Sequence, residues 1–153
     1  MRIEAIGDVV HWARQHHGKL SALLRSAGER SADDERARLL LAYLSEHEEK
    51  LSGLLEHVEH SGDAKALHTY CYDFLDAAPF EPHPAADAPW TGLDPVEIVA
   101  RIEHEHAQLV ALYRHLRRQV DGVAAQELLD ELIELERHEA MRIAQGANRF
   151  RDY

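Results

Sequence analysis

Two stretches of this sequence are nearly the same, and the repeat constrains the fold more than any other feature. Residues 10–25 read VHWARQHHGKLSALLR, and residues 99–114 read VARIEHEHAQLVALYR. When the two are aligned, His17 corresponds to His106, and most of the following apolar positions correspond as well. The two copies are therefore expected to form the same local structure.

A second and shorter repeat follows each of these stretches. The sequence LSEHE at 44–48 corresponds to LERHE at 135–139, so that His47 corresponds to His138. A unit of two segments thus occurs twice, with one matched histidine in each segment. We interpret this unit as a duplicated helical hairpin.

Apolar residues in four segments recur at alternating intervals of three and four, which is the pattern of helices packed on a common core. Ser31 with the acidic residues after it and Asp94 before Pro95 are typical helix starts, and Asp121-Gly122 is a turn signal. The predicted helices span residues 3–28, 33–60, 95–120 and 124–147.

The segment between the second and third helices, residues 61–94, is predicted to be a long crossover. It contains prolines too closely spaced for a helix or a central strand: Pro79, Pro82, Pro84 and Pro89. Such a crossover would return the chain so that the third helix begins at the same end as the first. No stretch reads as a strand. We therefore predict an all-α fold in one domain, 1–153: a four-helix bundle built from two hairpins.

The four repeated histidines occupy positions where an apolar residue is expected. Each lies 13 to 17 residues from the turn of its own hairpin, counted from Arg30 and from Gly122. At roughly 1.5 Å of rise per residue, the two members of each hairpin differ in height by no more than about one turn. We expect the four imidazoles to meet in one layer of the core: His17, His47, His106 and His138.

Acidic residues accompany these histidines. Glu48 and Glu139 directly follow the second and fourth histidines and are the first candidates for carboxylate ligands. Others lie close enough to be alternative ligands or partners of the ligands: His16, Glu105, Glu103, Glu134 and Glu46. Imidazole and carboxylate together are the ligands that zinc, iron and manganese take in proteins.

Three interpretations of the histidine layer remain open. Each buried imidazole without a partner would cost roughly 1–3 kcal/mol, and a shared metal ion would satisfy all of them together. A metal-free layer of His/Glu hydrogen bonds would do the same. Haem held between two histidines is the third interpretation, but it requires an apolar slot that a Leu/Ala-rich core does not obviously leave.

The duplicated hairpin, one histidine on each helix and the acidic residues after the second and fourth histidines resemble the hemerythrin-like (HHE) cation-binding family. That resemblance implies a non-haem metal site, with iron first, and oxygen or peroxide handling, or iron sensing or storage. The spacing of Glu103 and His106 on the third helix is also similar to the Glu-x-x-His motif of ferritin-like four-helix bundles.

Composition restricts the partners. With 17 Lys and Arg against 28 Asp and Glu, the formal net charge of −11 argues against nucleic acid and anionic membranes. The sequence has no apolar run of membrane-spanning length and no charged-then-apolar leader, and its single cysteine, Cys71, fits a cytoplasmic protein. The 12 histidines are several times an ordinary share.

We therefore predict a metal-binding protein that holds iron, with manganese or zinc as the alternative ion, and a small ligand such as dioxygen as a further partner. The alternative is a metal-free helical interaction protein whose buried histidines respond to pH and whose surface pairs with a second copy to form a homodimer. No catalytic triad, glycine-rich phosphate loop or Walker-type lysine appears, so the sequence does not settle whether the protein is an enzyme.

Overall fold

Four long helices and one short helix make up the regular structure of the residues that the structure describes. The computed structural model describes residues 3–31, 33–71 and 89–151, and it contains no strand within these ranges. The all-α prediction is confirmed. None of the described helices combines enough length and apolar character to cross a bilayer. The helices are α1 (Ile6–Arg30), α2 (Glu35–Ser61), α3 (Ala64–Leu67), α4 (Pro95–Gln119) and α5 (Val123–Arg151).

Aspartate side chains fix three of the helix starts. Asp34, Asp63 and Asp94 each accept a hydrogen bond from the backbone N–H three residues further on, at 2.9–3.1 Å. This bond satisfies a backbone donor that has no partner within the helix. Pro95 occupies the first turn of α4, where its missing N–H has no cost.

The helix ends differ by a few residues from the predicted ones, and α5 continues to Arg151 instead of ending near 147. Half of the predicted crossover, residues 72–88, lies outside the described residues. In its described first part the chain forms α3 and then passes alongside the start of α1. The N–H of Ile6 donates to the carbonyl of Thr69, and the N–H of Cys71 donates to the carbonyl of Glu4, both at 2.9 Å.

The long helices are paired as the two predicted hairpins. Helix α1 packs along α2, and α4 packs along α5, while α2 contacts both helices of the second hairpin. The connections within the hairpins are short, from 31 to 34 and from 120 to 122. Short connections favour antiparallel neighbours, which brings residues far apart in sequence to the same height.

Among the described residues the apolar core consists of two clusters, one toward each end of the hairpins. One includes Val9, Ala13, Leu109 and Leu129, and the other includes Leu20, Leu44, Ile102 and Ile143. On every long helix the residues between the two clusters include buried polar side chains. Six of these buried residues form what we call the polar layer: His16, His17, Glu48, Glu105, His106 and Glu136.

Candidate metal centre

Glu48 lies at the centre of the polar layer and contacts two imidazoles. Its carboxylate accepts hydrogen bonds from Nδ1 of His17 and, at 2.5 Å, from Nε2 of His106. Glu48 is fully buried, and the two histidines are at most 2% exposed. Burial alone would raise the pKa of Glu48, but the two imidazoles outweigh it and hold this pKa well below its usual range. Glu48 therefore joins α2 to both α1 and α4 as an ionised carboxylate.

His17 is held between two carboxylates. Its Nδ1 contacts Glu48, and its Nε2 lies 2.6 Å from Oε1 of Glu136 on α5. Burial alone would lower the pKa of His17, but the charges of Glu136 and Glu48 outweigh it and raise this pKa to about 10. The pKa of His106 is also raised, because Glu48 outweighs the effect of its burial. In the metal-free layer His17 is therefore an imidazolium ion at neutral pH.

Each of these side chains replaces an apolar residue in the buried stripe of its helix. Buried apolar residues three, four or seven positions away lie on the same face of the helix as the polar residue. Because that face packs against the core, the polar side chain faces the core as well. The flanking pairs are Ala13 and Leu20 around His17, Leu44 and Leu51 around Glu48, Ile102 and Leu109 around His106, and Ile133 and Ile143 around Glu136.

His16 and Glu105 extend the polar layer on the side of α1 and α4. They occupy matched positions in the repeat, and His16 Nε2 lies 3.5 Å from Glu105 Oε2. The ring of Trp12 stacks on His16, with ring centres 5.5 Å apart and planes 4° apart. Burial lowers the pKa of the Arg101 guanidinium, and the charge of the nearby Glu105 partly offsets this effect. The negative charge of Glu105 is therefore balanced by its own neighbours.

Tyr113 lies under the polar layer, on the same helix as His106 and two turns further along. It is fully buried, and both burial and the nearby Glu136 raise the pKa of its hydroxyl. A hydrogen bond to the Glu136 side chain raises this pKa further, so Glu136 is the partner of the Tyr113 hydroxyl. Buried polar groups normally have partners, and Glu136 serves both His17 and Tyr113 in this role.

The donor atoms of the layer suit a metal ion. One ligand atom each from His17, Glu48 and His106 can be chosen so that all three lie within 4.8 Å of one another. Two imidazole nitrogens and a carboxylate oxygen are ligands for iron, manganese and zinc. If Nδ1 of His17 holds the ion, its Nε2–H donates to Glu136, the arrangement that usually orients a ligand histidine. The residues present therefore fit a metal ion.

His47 and Glu139, both predicted ligands, form a separate pair at the edge of the layer. His47 Nδ1 lies 2.9 Å from Glu139 Oε2, and the histidine side chain remains 17% exposed. Glu139 is buried, and Lys50 Nζ lies 3.3 Å from its other oxygen. Burial raises the pKa of Glu139, but His47 and Lys50 outweigh that effect and lower it. The charge of Glu139 is thus already balanced by cationic and imidazole partners.

The structure corrects the expected position of His138, which is exposed and not in the core. Glu136 occupies the core position of α5 instead. The physical reason is helix geometry, because two positions along a helix correspond to roughly 200° of rotation, so only one of the two side chains can face inward. Three of the alternative ligands, Glu46, Glu103 and Glu134, are also exposed, whereas His16 and Glu105 lie in the layer.

Sequence reasoning missed both Glu136 and Tyr113. The signal for Glu136 was present in the apolar stripe of α5. Leu129, Leu132, Ile143 and Ala147 define a stripe with the correct helical period, and Glu136 lies on it. The repeat instead places His138 in the core, and a stripe through His138 continues to Met141, which is 61% exposed.

Comparison of this chain with models of protein families, with curated protein sequences and with solved structures found no match. The resemblance to the hemerythrin-like and ferritin-like families therefore stays a prediction from the sequence motif. What the chain itself shows is an all-helical protein with a buried cluster of histidine and glutamate that has the donor atoms to bind a metal ion.

Proposed function

We propose that this protein is a four-helix bundle that binds a non-haem metal ion in its core, with iron as the first expectation and manganese or zinc as the next. One observation carries the proposal: donor atoms of His17, Glu48 and His106, contributed by three helices, come within 4.8 Å of one another in the buried core.

The charges of the layer also favour a cation. Glu105 has His16 and Arg101 beside it, so Glu48 and Glu136 are the two carboxylates whose charge a metal ion would balance in place of protonated His17 and His106. One divalent ion with neutral His17 and His106 balances these two charges. Because a buried net charge costs several kcal/mol, neutrality favours a doubly charged ion in this position.

Three protein ligands leave coordination positions open at the metal. An open position on a buried non-haem ion binds solvent or a small ligand such as dioxygen. Oxygen or peroxide handling, and iron sensing or storage, are the functions that the resemblance implies. In each of them the protein would position the ion, balance its charge and exclude bulk water.

The first test is metal content. The protein would be purified without a histidine tag or a nickel column, analysed for metals, and titrated anaerobically with iron(II), manganese(II) and zinc(II). His106→Gln removes a ligand, and His104→Gln makes the same change at an exposed histidine two residues away. We expect a stoichiometric metal in the wild type and in His104→Gln, and at least about tenfold weaker binding in His106→Gln.

His138→Gln and His47→Gln would test the other predicted ligands. We expect unchanged metal content in His138→Gln, because its side chain is exposed. The proposal would be contradicted by wild-type protein that binds none of the three metal ions, or by equal metal affinity of His104→Gln and His106→Gln.

One observation favours a second function, a metal-free layer that responds to pH. Both ring nitrogens of His17 already contact carboxylates, so the layer can be held together by ion pairs alone. In that case the melting temperature would depend on pH but not on added iron, manganese or zinc. The same titration therefore separates the two functions.

A further inference from the structure

A series of aromatic rings leads from the surface of α1 to the candidate metal ligands. The indole of Trp12 stacks on the imidazole of His16, with ring centres 5.5 Å apart. The ring centres of His16 and His17 lie 5.6 Å apart, and those of His17 and His106 lie 5.8 Å apart. These distances are typical of aromatic rings in contact. We call this series of four residues the ring row: Trp12, His16, His17 and His106.

The ring row connects buried residues with the surface. Trp12 is half-buried, whereas His16, His17 and His106 are buried in the polar layer. Trp12 precedes His16 by four residues on α1, so their side chains are neighbours on one face of the helix. An electron can pass between rings in contact without movement of any atom. The ring row therefore links the candidate ligands to a side chain that a molecule in solvent can contact.

The electron count of the proposed metal site gives this link a use. Reduction of hydrogen peroxide to two water molecules consumes two electrons and two protons. One iron(II) ion held by His17, Glu48 and His106 supplies one electron when it becomes iron(III). If no other donor supplies the second electron, a hydroxyl radical is left in the core of the protein. A single-ion site that handles peroxide therefore needs a second electron donor.

Among the described residues, Trp12 is best placed to be that donor. Trp90, the other tryptophan, is 2% exposed, and the guanidinium of Arg101 lies 4.0 Å from the centre of its ring. Loss of an electron from Trp90 would place a positive charge beside that cation, which is unfavourable. Tyr113 is linked to the layer through its hydrogen bond with Glu136, but it is fully buried, so a reductant in solvent could not restore it.

We propose that Trp12 donates an electron to the metal centre during reduction of hydrogen peroxide, and that the ring row carries this electron. This inference rests on the proposed metal-binding function and names its substrate. Trp12 and iron(II) each lose one electron, the O–O bond of peroxide breaks, and two protons from solvent complete two water molecules. A one-electron reductant in solvent, such as ascorbate, then restores the oxidised indole at its exposed side.

The site of oxidation in the protein tests the proposal directly. Wild type loaded anaerobically with iron(II) would receive one equivalent of hydrogen peroxide without a reductant, and oxidised residues would be mapped by peptide mass spectrometry. We expect oxygen addition at Trp12 and none at Trp90, and ascorbate should prevent it. Metal-free and zinc(II)-loaded protein should show neither, because zinc is not redox-active. Met141, which is 61% exposed, reacts with peroxide in every sample and so reports the dose.

His16→Gln tests the ring row, because it removes the ring beside Trp12 and keeps a polar side chain near Glu105. His104→Gln makes the same change at an exposed histidine and is the control. We expect oxygen addition at Trp12 to be lost in His16→Gln and retained in His104→Gln, with iron bound in both. In Trp12→Phe, whose ring is harder to oxidise, oxidation should appear at Tyr113 in the core instead.

Three results with iron-loaded wild type would overturn the inference: equal oxidation of Trp12 and Trp90, oxidation of neither, or oxidation of Tyr113 in place of Trp12. Undiminished oxidation of Trp12 in iron-loaded His16→Gln would overturn it as well, because the ring row would not carry the electron. Wild type that takes up no iron would instead refute the proposed function, at the loading step that precedes peroxide. The two failures are therefore distinguishable.

Discussion

Glu48→Gln is the substitution that tests the layer most directly. The change keeps the size and shape of the side chain but removes the negative charge that faces His17 and His106. Removing one partner of a buried ion pair costs about 3–5 kcal/mol. Two hydrogen bonds to a charged group, at about 1.5–3 kcal/mol each, give a similar sum. At about 2–4 °C per kcal/mol for a domain of this size, the metal-free variant should melt about 6–20 °C lower.

The neighbouring Glu49→Gln is the matched control. It makes the same chemical change on a side chain that is 69% exposed and pairs with Arg25 at 3.1 Å. Exposed pairs of this kind contribute about 1 kcal/mol or less, so this variant should melt close to the wild type. Both variants would be compared by thermal melting and urea unfolding in the presence of a chelator.

The same pair of variants also reports on the metal. A metal present at about one hundred times its dissociation constant stabilises a folded protein by about 2.7 kcal/mol. Glu49→Gln should gain this stabilisation and Glu48→Gln should lose most of it. If the two metal-free variants melt within about 2 °C of each other, the buried ion pair is not what holds the layer, and the reasoning is refuted.

Three further predictions concern pH, a helix contact and the cysteine. In the presence of a chelator, the free energy of unfolding should fall as the pH rises from 6.5 toward 10. Folding raises the pKa of His17 to about 10, so the contribution of this residue to stability is complete below pH 6.5 and is lost progressively as the pH approaches 10. Metal affinity measured over the same range should rise instead, because binding needs neutral imidazole and releases protons. Gly146→Ala should destabilise the protein, because a Cβ at this position would lie 1.9 Å from the Tyr43 hydroxyl. Gly53→Ala has open space around it and should stabilise α2 by up to about 1 kcal/mol, as measured by urea unfolding. Cys71 should react with a thiol reagent only when the protein unfolds, because burial, and secondarily Asp8, raises its pKa to about 12; rapid reaction of the folded protein would contradict this.

The sequence was most informative where the repeat and the helical period agree. In the first repeat, His17 and His106 replace apolar residues within stripes that continue on both sides, and both are buried in the polar layer. His16 and Glu105 occupy the adjacent matched positions and face each other. The all-α class followed from the same periodicity, together with the aspartate and proline signals at the helix starts.

The second repeat was misleading because sequence similarity was treated as equivalence in space. Matching His47 with His138 suggested that both face the core, although the stripe of α2 passes through Glu48 and that of α5 passes through Glu136. The rotation of a helix about its own axis depends on all the apolar residues along its length. A five-residue motif cannot fix that rotation, and the contact between His17 and Glu136 spans 119 positions in the chain.

The division of the core into two apolar clusters with a polar layer between them has a consequence for how the helices align. Leucine-rich stripes alone permit one helix to slide by a turn along its neighbours, since apolar residues of similar size replace one another at little cost. Here such a slip would place Glu48 against leucine and leave two imidazoles facing methyl groups. Each misplaced charge would cost several kcal/mol, so only one register of the four long helices is permitted. Replacing the layer with leucine would remove that discrimination, and the same sequence would then accept several registers of nearly equal energy.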